Sequence, residues 1–303
     1  MTTSVCVVVK NRKDLMLSCL DAVLGEQPDQ VVVVDNGSDD GTYEALLERA
    51  ATEPTLTVVQ DRGSLGRIRN RAVELATGDV VAFTDSDCRP HPGWLAAGAA
   101  ALTDGVGVVQ GRTVPAGPTD TPFFATQDIA APTGLFEACN VFFRREALVA
   151  TPGFDEAVGF FGEDSAAGWH VQRAGWRDAW AEDAVVEHVV TTPGFGWHLR
   201  RTRSYANWPA LLKAFPEKRS LLWHGVFLRQ RSAETDAAVL SAVAALVTRR
   251  PLLLAGALPF LVRHRPGGLS RRDLVGAGSS AVFDLAVSAA LVKGSVRART
   301  PVL

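Results

Sequence analysis

Two aspartates, Asp85 and Asp87, stand one residue apart at the end of a short apolar run, Val80-Val81-Ala82-Phe83-Thr84. In extended chain, residues i and i+2 point the same way, so these carboxylates converge while Ser86 points aside. Two converging carboxylates suit a hard divalent cation that carries phosphates. An Asp-x-Asp arises about once by chance in a chain of this length, so its meaning depends on its surroundings. Several other groups have suggestive positions. Asp35 closes a second apolar run ahead of Asn36-Gly37, where an Asp either holds its own turn or faces a ligand. Arg69 follows a Gly-containing loop; a guanidinium there pairs with a surface acid or binds phosphate oxygens. Glu163-Asp164 precede a helical pattern, so they serve as a cap, as a general base, or both. His188 ends a short apolar run, where a lone His is more often structural than a ligand.

These side chains need a scaffold that carries them to one edge. Apolar runs over residues 4–9, 30–34, 56–59 and 80–84 read as buried strands. Helical patterns over residues 13–24, 42–51 and 67–76 alternate with them, the last closed by Gly78. Strand–helix alternation with short loops predicts a parallel sheet with right-handed crossovers. Ligands bind such sheets beyond the carboxyl ends of their strands, which is where Asp35, Asp85 and Asp87 fall. Further along, a helix is expected over 94–102 and strands over 106–111, 138–143, 178–180 and 184–188. Helices are expected over 165–174 and over 196–215, the latter broken at Trp208-Pro209. The Pro- and Thr-rich stretch 112–137 reads as a long functional loop over the sheet edge.

At 303 residues and 47% hydrophobic, the chain has enough apolar side chain to bury a large core, which excludes a disordered polypeptide. Cys6, Cys19, Cys88 and Cys139 form no Cys-x-x-Cys, which excludes a zinc ribbon and fits a reducing, cytoplasmic compartment. No signal-peptide pattern is visible at the start. The net charge of −2 conceals −11 over residues 1–217 and +9 over residues 218–303. Two regions are therefore expected, a catalytic domain over 1–217 and a basic, apolar helical region over 218–303. No helix-turn-helix, RNP or zinc-finger pattern accompanies the basic charge, so no nucleic-acid partner is expected.

Five segments carry a resemblance. They are Val-Val-Val-Asp-Asn-Gly-Ser-Asp-Asp-Gly-Thr at 32–42, Gly66-Arg67-Ile68-Arg69-Asn70-Arg71-Ala72 with Thr77-Gly78-Asp79, and Phe83-Thr84-Asp85-Ser86-Asp87. Asn140-Val141-Phe142-Phe143-Arg144-Arg145-Glu146 and Gly162-Glu163-Asp164 with Arg173-Ala174-Gly175-Trp176 follow in order. Over residues 4–190 the chain resembles the family 2 glycosyltransferases of GT-A-type fold, a Rossmann-like α/β architecture. The expected fold is thus a mostly parallel central sheet flanked by helices, with an α-helical C-terminal appendage.

The resemblance implies an inverting, metal-dependent transfer of one sugar from a nucleoside-diphosphate sugar, with UDP-sugar favoured, to an acceptor hydroxyl. It divides the catalytic domain into a donor half, about 1–111, and an acceptor half, about 112–217. Asp35 then accepts from the nucleobase, Asn11 and Arg12 frame base and diphosphate, and Arg69 contacts nucleoside or diphosphate. Asp87 ligates Mn²⁺ or Mg²⁺, Asp85 serves the ribose or a metal-bound water, and His188 completes the metal site. Asp164 is the implied general base. Glu163 positions the acceptor or substitutes for the base, and Asn140 joins it on the acceptor side. Gly159 and Gly162 would hinge the loop. The segment Gln172-Arg173-Ala174-Gly175-Trp176 lacks the Gln-x-x-Arg-Trp spacing of processive members, which argues for one transfer per acceptor. Lys10 stands where relatives often have a Pro-Thr turn.

Two rivals use the same sheet. A sugar nucleotidyltransferase needs a Gly-rich loop after the first strand, and Lys10-Asn11-Arg12 has no glycine. A non-catalytic nucleotide-sugar-binding protein would not need Asp85, Asp87 and Asp164 together. In the C-terminal third, apolar segments over 237–247, 252–262 and 274–292 are flanked by basic residues. The first two are too short to cross a bilayer, and the third carries Asp284. The pattern resembles helices lying on an anionic leaflet; a soluble helical appendage or a dimer interface is the alternative. Peripheral attachment to the inner face of a membrane would fit a lipid-linked or envelope-glycan acceptor.

Overall fold

The computed structural model describes residues 1–303 apart from Pro122, Gly159 and Phe160, with Arg271 and Arg272 described by backbone only. The hinge expected at Gly159 therefore lies outside the described residues. The chain packs as two units, residues 1–119 with 125–191, and residues 120–124 with 192–303. Residues 192–217, expected with the catalytic domain from composition, pack with the C-terminal helices.

The first unit is an α/β sheet with helices against it. Its elements are β1 (Thr3–Val9), α1 (Lys13–Gly25), β2 (Gln30–Asp35), α2 (Thr42–Ala50), β3 (Leu56–Gln60), α3 (Leu65–Leu75) and β4 (Val80–Asp85). Then come β5 (Cys88–Pro90), α4 (Trp94–Ala101), β6 (Val106–Ala116), β7 (Asn140–Arg144), α5 (Arg145–Val149), α6 (Glu163–Arg173) and β8 (Arg177–Val189). The strands form one eight-stranded sheet in the order β3-β2-β1-β4-β7-β6-β8-β5. β3, β2, β1 and β4 pair in parallel, as the alternation with helices predicts. Val31, Val32, Val33 and Val34 are all wholly buried because both faces of the sheet are covered.

Register sets the working edge. Val9 of β1 pairs with Asp35, and Val8 pairs with Asp85. The carboxyl ends of β2, β1 and β4 therefore finish side by side. The second half departs from the repeat: β7 runs antiparallel between β4 and β6, while β8 runs parallel to β6 and antiparallel to β5. The two short strands expected over 178–180 and 184–188 are one strand, β8, because a register shift opposite Gly111 and Arg112 absorbs the irregularity.

Asn140 locks that half. Its amide nitrogen donates to the Arg112 carbonyl (2.7 Å) and the Ala184 carbonyl (2.8 Å), and its oxygen accepts from Trp94 Nε1 (2.8 Å). This corrects the expectation that Asn140 faces an acceptor. Its side chain is wholly buried and its hydrogen-bonding capacity is spent on β6, β8 and α4. Gly111 is required beside it, since a Cβ there would lie 2.4 Å from Asn140 Oδ1.

The second unit is helical: α7 (Phe195–Arg201), α8 (Trp208–Ala214), α9 (Gln230–Thr248), α10 (Leu258–Arg263) and α11 (Arg271–Ala298), with 3-10 turns at Thr202–Asn207, Pro216–Leu221 and Pro251–Ala257. The expected helical break at Trp208-Pro209 falls instead at the 3-10 turn before it. Pro209 sits in the first turn of α8, where its missing N–H costs nothing. Asp284 of α11 pairs with Arg231 of α9 (2.6 Å) and with His264 (3.0 Å). Asp236 of α9 accepts from Ser288 of α11. The Arg231 and Ser288 contacts hold α11 against α9.

Replacing Asn140 by Ala removes the partner of the buried Trp94 indole N–H and one donor each from the Arg112 and Ala184 carbonyls. We expect a loss of about 3 kcal/mol in the urea midpoint analysis, with little change in slope.

Candidate active site

The working edge gathers six carboxylates and two guanidinium groups. Asp35 ends β2 with no exposed surface. Its Oδ1 accepts from the Gly37 and Ser38 amides (3.0 and 2.9 Å) and from Gln60 Nε2 (3.0 Å). Its Oδ2 is buried and has no hydrogen-bond partner among the described residues. One oxygen of Asp35 thus makes the turn, while the other is held unpaired beside it. A buried acceptor left unmade is costly, so an N–H donor placed there is strongly favoured.

The turn after β1 bends sharply. Asn11 and Arg12 both have positive φ, 60° and 69°. Such conformations cost energy for residues other than Gly and persist where surrounding bonds over-determine them. Here the Asn11 amide donates to Ser38 Oγ (2.6 Å), and Asn11 Oδ1 accepts from the Asp39 amide (3.0 Å). Asn11 therefore ties the turn to the loop after β2. The bend sends the Arg12 guanidinium to Asp87 Oδ2.

Asp87, nearly buried, turns its other oxygen toward His188, whose Nε2 lies 3.7 Å from Oδ1. His188 Nδ1 is 3.1 Å from the Val189 carbonyl, which can only accept. Nδ1 also lies 3.3 Å from Thr126 Oγ1, and Nε2 is the ring nitrogen that faces Asp87. Antiparallel pairing of β5 with β8 sets Cys88 opposite His188. Ligand atoms of Asp87, Cys88 and His188 all lie within 4.8 Å of one another. A carboxylate, an imidazole and a thiol at this spacing fit a divalent transition ion better than Mg²⁺. Sequence analysis missed Cys88, because its approach to His188 depends on a strand pairing between distant segments.

Asp85 stands outside that group of three. It is drawn to Arg69, with Nη2 3.5 Å from its Oδ1. Burial raises the Asp85 carboxyl above its usual range; Arg69 pulls it down and Asp87 pushes it up. Arg69, on α3, is itself nearly buried. Its Nη1 meets Glu163 Oε1, and its guanidinium lies 5.8 Å from the Phe154 ring centroid. Arg69 thus holds two carboxylates in place and does not stand free at the surface.

Gly162 has φ 104° and turns the chain into α6, which brings Glu163 and Asp164 to the site. Glu163 Oε2 accepts from the Phe161 amide (3.1 Å). Burial, reinforced by neighbouring Asp164 and opposed by Arg69, pushes Glu163 up to about 7. Asp164 accepts from the amides of Ala138 (3.1 Å) and Ser165 (2.8 Å). Each of its oxygens keeps a further lone pair. Glu137, which sequence analysis left inside the long loop, is the sixth carboxylate. Burial raises it, Thr133 Oγ1 donates to it (2.8 Å), and Asp164 adds to the upward shift. All four cysteines are free and buried.

The arrangement provides an acceptor for an N–H donor at one end, a cation-binding group in the middle and carboxylates able to take a proton beyond it. Comparison with known proteins bears on the family and the fold. Residues 4–161 match the model of glycosyl transferase family 2. Glycosyltransferase AglE of Haloferax volcanii is 35% identical over 117 residues, a match that covers 36% of this chain but only 38% of AglE. Among solved structures, the mannosyltransferase PcManGT of Pyrobaculum calidifontis, in complex with GDP-Man and Mn²⁺, superposes with a TM-score of 0.62 at 26% identity. That match covers 98% of this chain and 86% of PcManGT. GalNAc-T7 with UDP, GalNAc and Mn²⁺ shares the fold alone, at 14% identity and a TM-score of 0.55 over 73% of this chain and 51% of its own. The family match spans more than half of the chain, and with this fold and this edge of acidic side chains it places the chain in glycosyl transferase family 2.

Proposed function

We propose that the chain transfers one sugar per encounter from a nucleoside-diphosphate sugar to an acceptor hydroxyl, with inversion. The observation that carries this reading is the unpartnered, buried Oδ2 of Asp35, aligned along one sheet edge with Asp85, Asp87 and His188. The imide N–H of uracil supplies the donor that this oxygen lacks, which keeps UDP-sugar as the favoured donor. The N1–H of guanine presents the same chemistry, so a panel of UDP and GDP sugars separates them.

Asp87 and His188 would hold a divalent cation, Mn²⁺ in preference to Mg²⁺ because of the imidazole. When bound, the cation offsets the charge that builds on the leaving diphosphate. Asp85 serves the ribose side, and Arg69 positions Asp85 and Glu163. Asp164 takes the proton from the acceptor hydroxyl as that oxygen bonds to the anomeric carbon and the bond to the diphosphate breaks. Glu163, next to it, orients the acceptor. The division of function at residue 217 is part of the same proposal, with residues 1–217 carrying transfer.

Residues 218–303 are proposed to rest on an anionic membrane surface, with the transferase on the cytoplasmic side. In the second unit, Leu240, Val243, Leu246 and Val247 line one exposed face of α9, and Leu252, Leu258, Leu261 and Val262 are also exposed. Arg249, Arg250 and Arg265 flank them in solvent. An exposed apolar set with basic flanks is what an anionic leaflet attracts, at about 1 kcal/mol per Lys or Arg. The stretch Asp273–Ala298 has the length and composition to cross a bilayer, but the Arg231–Asp284 ion pair and the Ser288–Asp236 hydrogen bond hold it to α9. The acceptor is proposed to be a lipid-linked or envelope glycan presented at that surface.

Three outcomes are expected. Incubation with Mn²⁺ and a donor panel releases nucleoside diphosphate. Asp164→Asn lowers kcat by about 10²- to 10⁴-fold with donor affinity kept, and Asp87→Ala abolishes release; a protein that binds and cleaves no donor overturns the transferase reading. Glu163, raised in the folded state, contributes stability below its unfolded value near 4.5 that is lost as pH rises toward about 7. Denaturation curves across that window should show this loss in the native chain and a smaller one in Glu163→Gln, where the raised carboxyls of Asp85 and Glu137 remain. Finally, the full chain should co-sediment with anionic vesicles at low salt and less at high salt, and Leu246→Asp with Leu252→Asp should weaken it. Absence of binding at low salt removes the membrane role.

A further inference from the structure

We propose that Arg12 acts as a built-in stand-in for the cation at Asp87, and that it links cation binding to binding of the donor's diphosphate. The inference rests on the reading of this edge as a nucleotide-sugar site. Three observations carry it. First, Asp87 is nearly buried, with its side chain 8% exposed, and Arg12 is paired with its Oδ2. A nearly buried carboxylate is costly without a positive partner, and Arg12 supplies one. Second, the Arg12 side chain is 48% exposed, so the guanidinium can leave this partner without opening the core. Third, the sheet order puts β1 between β2 and β4. The nucleobase acceptor Asp35 ends β2, and the cation group follows β4. Neighbouring strands lie about 4.8 Å apart, so the two ends of the site are separated by about two strand spacings. A nucleoside diphosphate that runs from one end to the other must pass over the end of β1, where the two positive-φ residues Asn11 and Arg12 project.

The consequence is a thermodynamic coupling. A cation arriving alone must compete with Arg12 for Asp87 and leaves the guanidinium without a carboxylate. When a diphosphate is present, the guanidinium has phosphate oxygens to receive it, a bidentate geometry to which Arg is suited. Cation and diphosphate then each favour the other's binding by the same factor. Asp87 Oδ1, facing His188, is untouched by the exchange.

The test uses the full chain and titrates Mn²⁺ alone, then Mn²⁺ with UDP and with GDP, following free Mn²⁺ by its paramagnetic resonance signal. In the native chain a nucleotide should tighten Mn²⁺ binding by about fivefold or more. Arg12→Gln should bind Mn²⁺ alone more tightly than the native chain and should lose most of the nucleotide-linked gain. Arg12→Lys, which keeps the charge, should retain much of the competition. The thermal midpoint of each variant confirms that it is folded. If the native chain binds Mn²⁺ and nucleotide but Arg12→Gln changes neither the affinity nor the coupling, the stand-in role is wrong. If the Gln variant binds Mn²⁺ more tightly while the nucleotide-linked gain is unchanged, the linkage is wrong. A native chain that binds neither Mn²⁺ nor nucleotide instead overturns the reading of the site itself.

Discussion

Like-charge repulsion is the constraint around which the first unit is arranged. Asp85, Asp87, Glu163 and Asp164 are brought together at one edge, and Glu137 lies beside Asp164. Carboxylates this close, and this shielded from water, cannot all stay ionised without compensation. Two guanidinium groups supply it. Arg69 is enclosed between Glu163 and Asp85, and Arg12 covers Asp87. Burial first, and the neighbouring Asp164 second, push Glu163 up to about 7 in spite of Arg69. Under the proposed function a diphosphate would add further negative charge, which a divalent cation would offset.

The two guanidiniums differ in what they can do. Arg69 is nearly buried and packs near Phe154, so it joins α3, β4 and α6 as a fixed part of the scaffold. Removing one member of a buried ion pair leaves an uncompensated charge and is strongly destabilising. Arg12 is half exposed on a strained turn and has solvent to move into. One cation organises the site and the other can be exchanged within it. The antiparallel half of the sheet adds the remaining parts. β7 carries the buried Asn140 knot, and β8 delivers His188 to Asp87 and Cys88.

The second unit solves a different problem. Its helices are joined by polar contacts inside, Arg231 and His264 with Asp284 and Ser288 with Asp236, while leucine and valine side chains face outward. That arrangement inverts the usual distribution for a helix in water and gives the exposed apolar set its significance.

Much of the fold was legible in the chain because its signals are local. The alternation of apolar runs and helical patterns up to residue 85 specified the parallel sheet. The positions of Asp35, Asp85 and Asp87 after those runs specified the edge where chemistry would occur. Residue types also determined what could be done there: acceptance of an N–H, binding of a cation, removal of a proton. Which partner each group takes was decided by tertiary structure alone. Arg69 and Glu163 are 94 residues apart in sequence, and Arg12 and Asp87 are 75 apart. No local pattern distinguishes an Arg that meets phosphate from one that holds a carboxylate, or an Asn that faces a substrate from one saturated by carbonyls. The antiparallel strands that set Cys88 beside His188 and spent Asn140 on the core arise from long-range pairing, and pairing energy depends on neighbours that only the folded chain supplies.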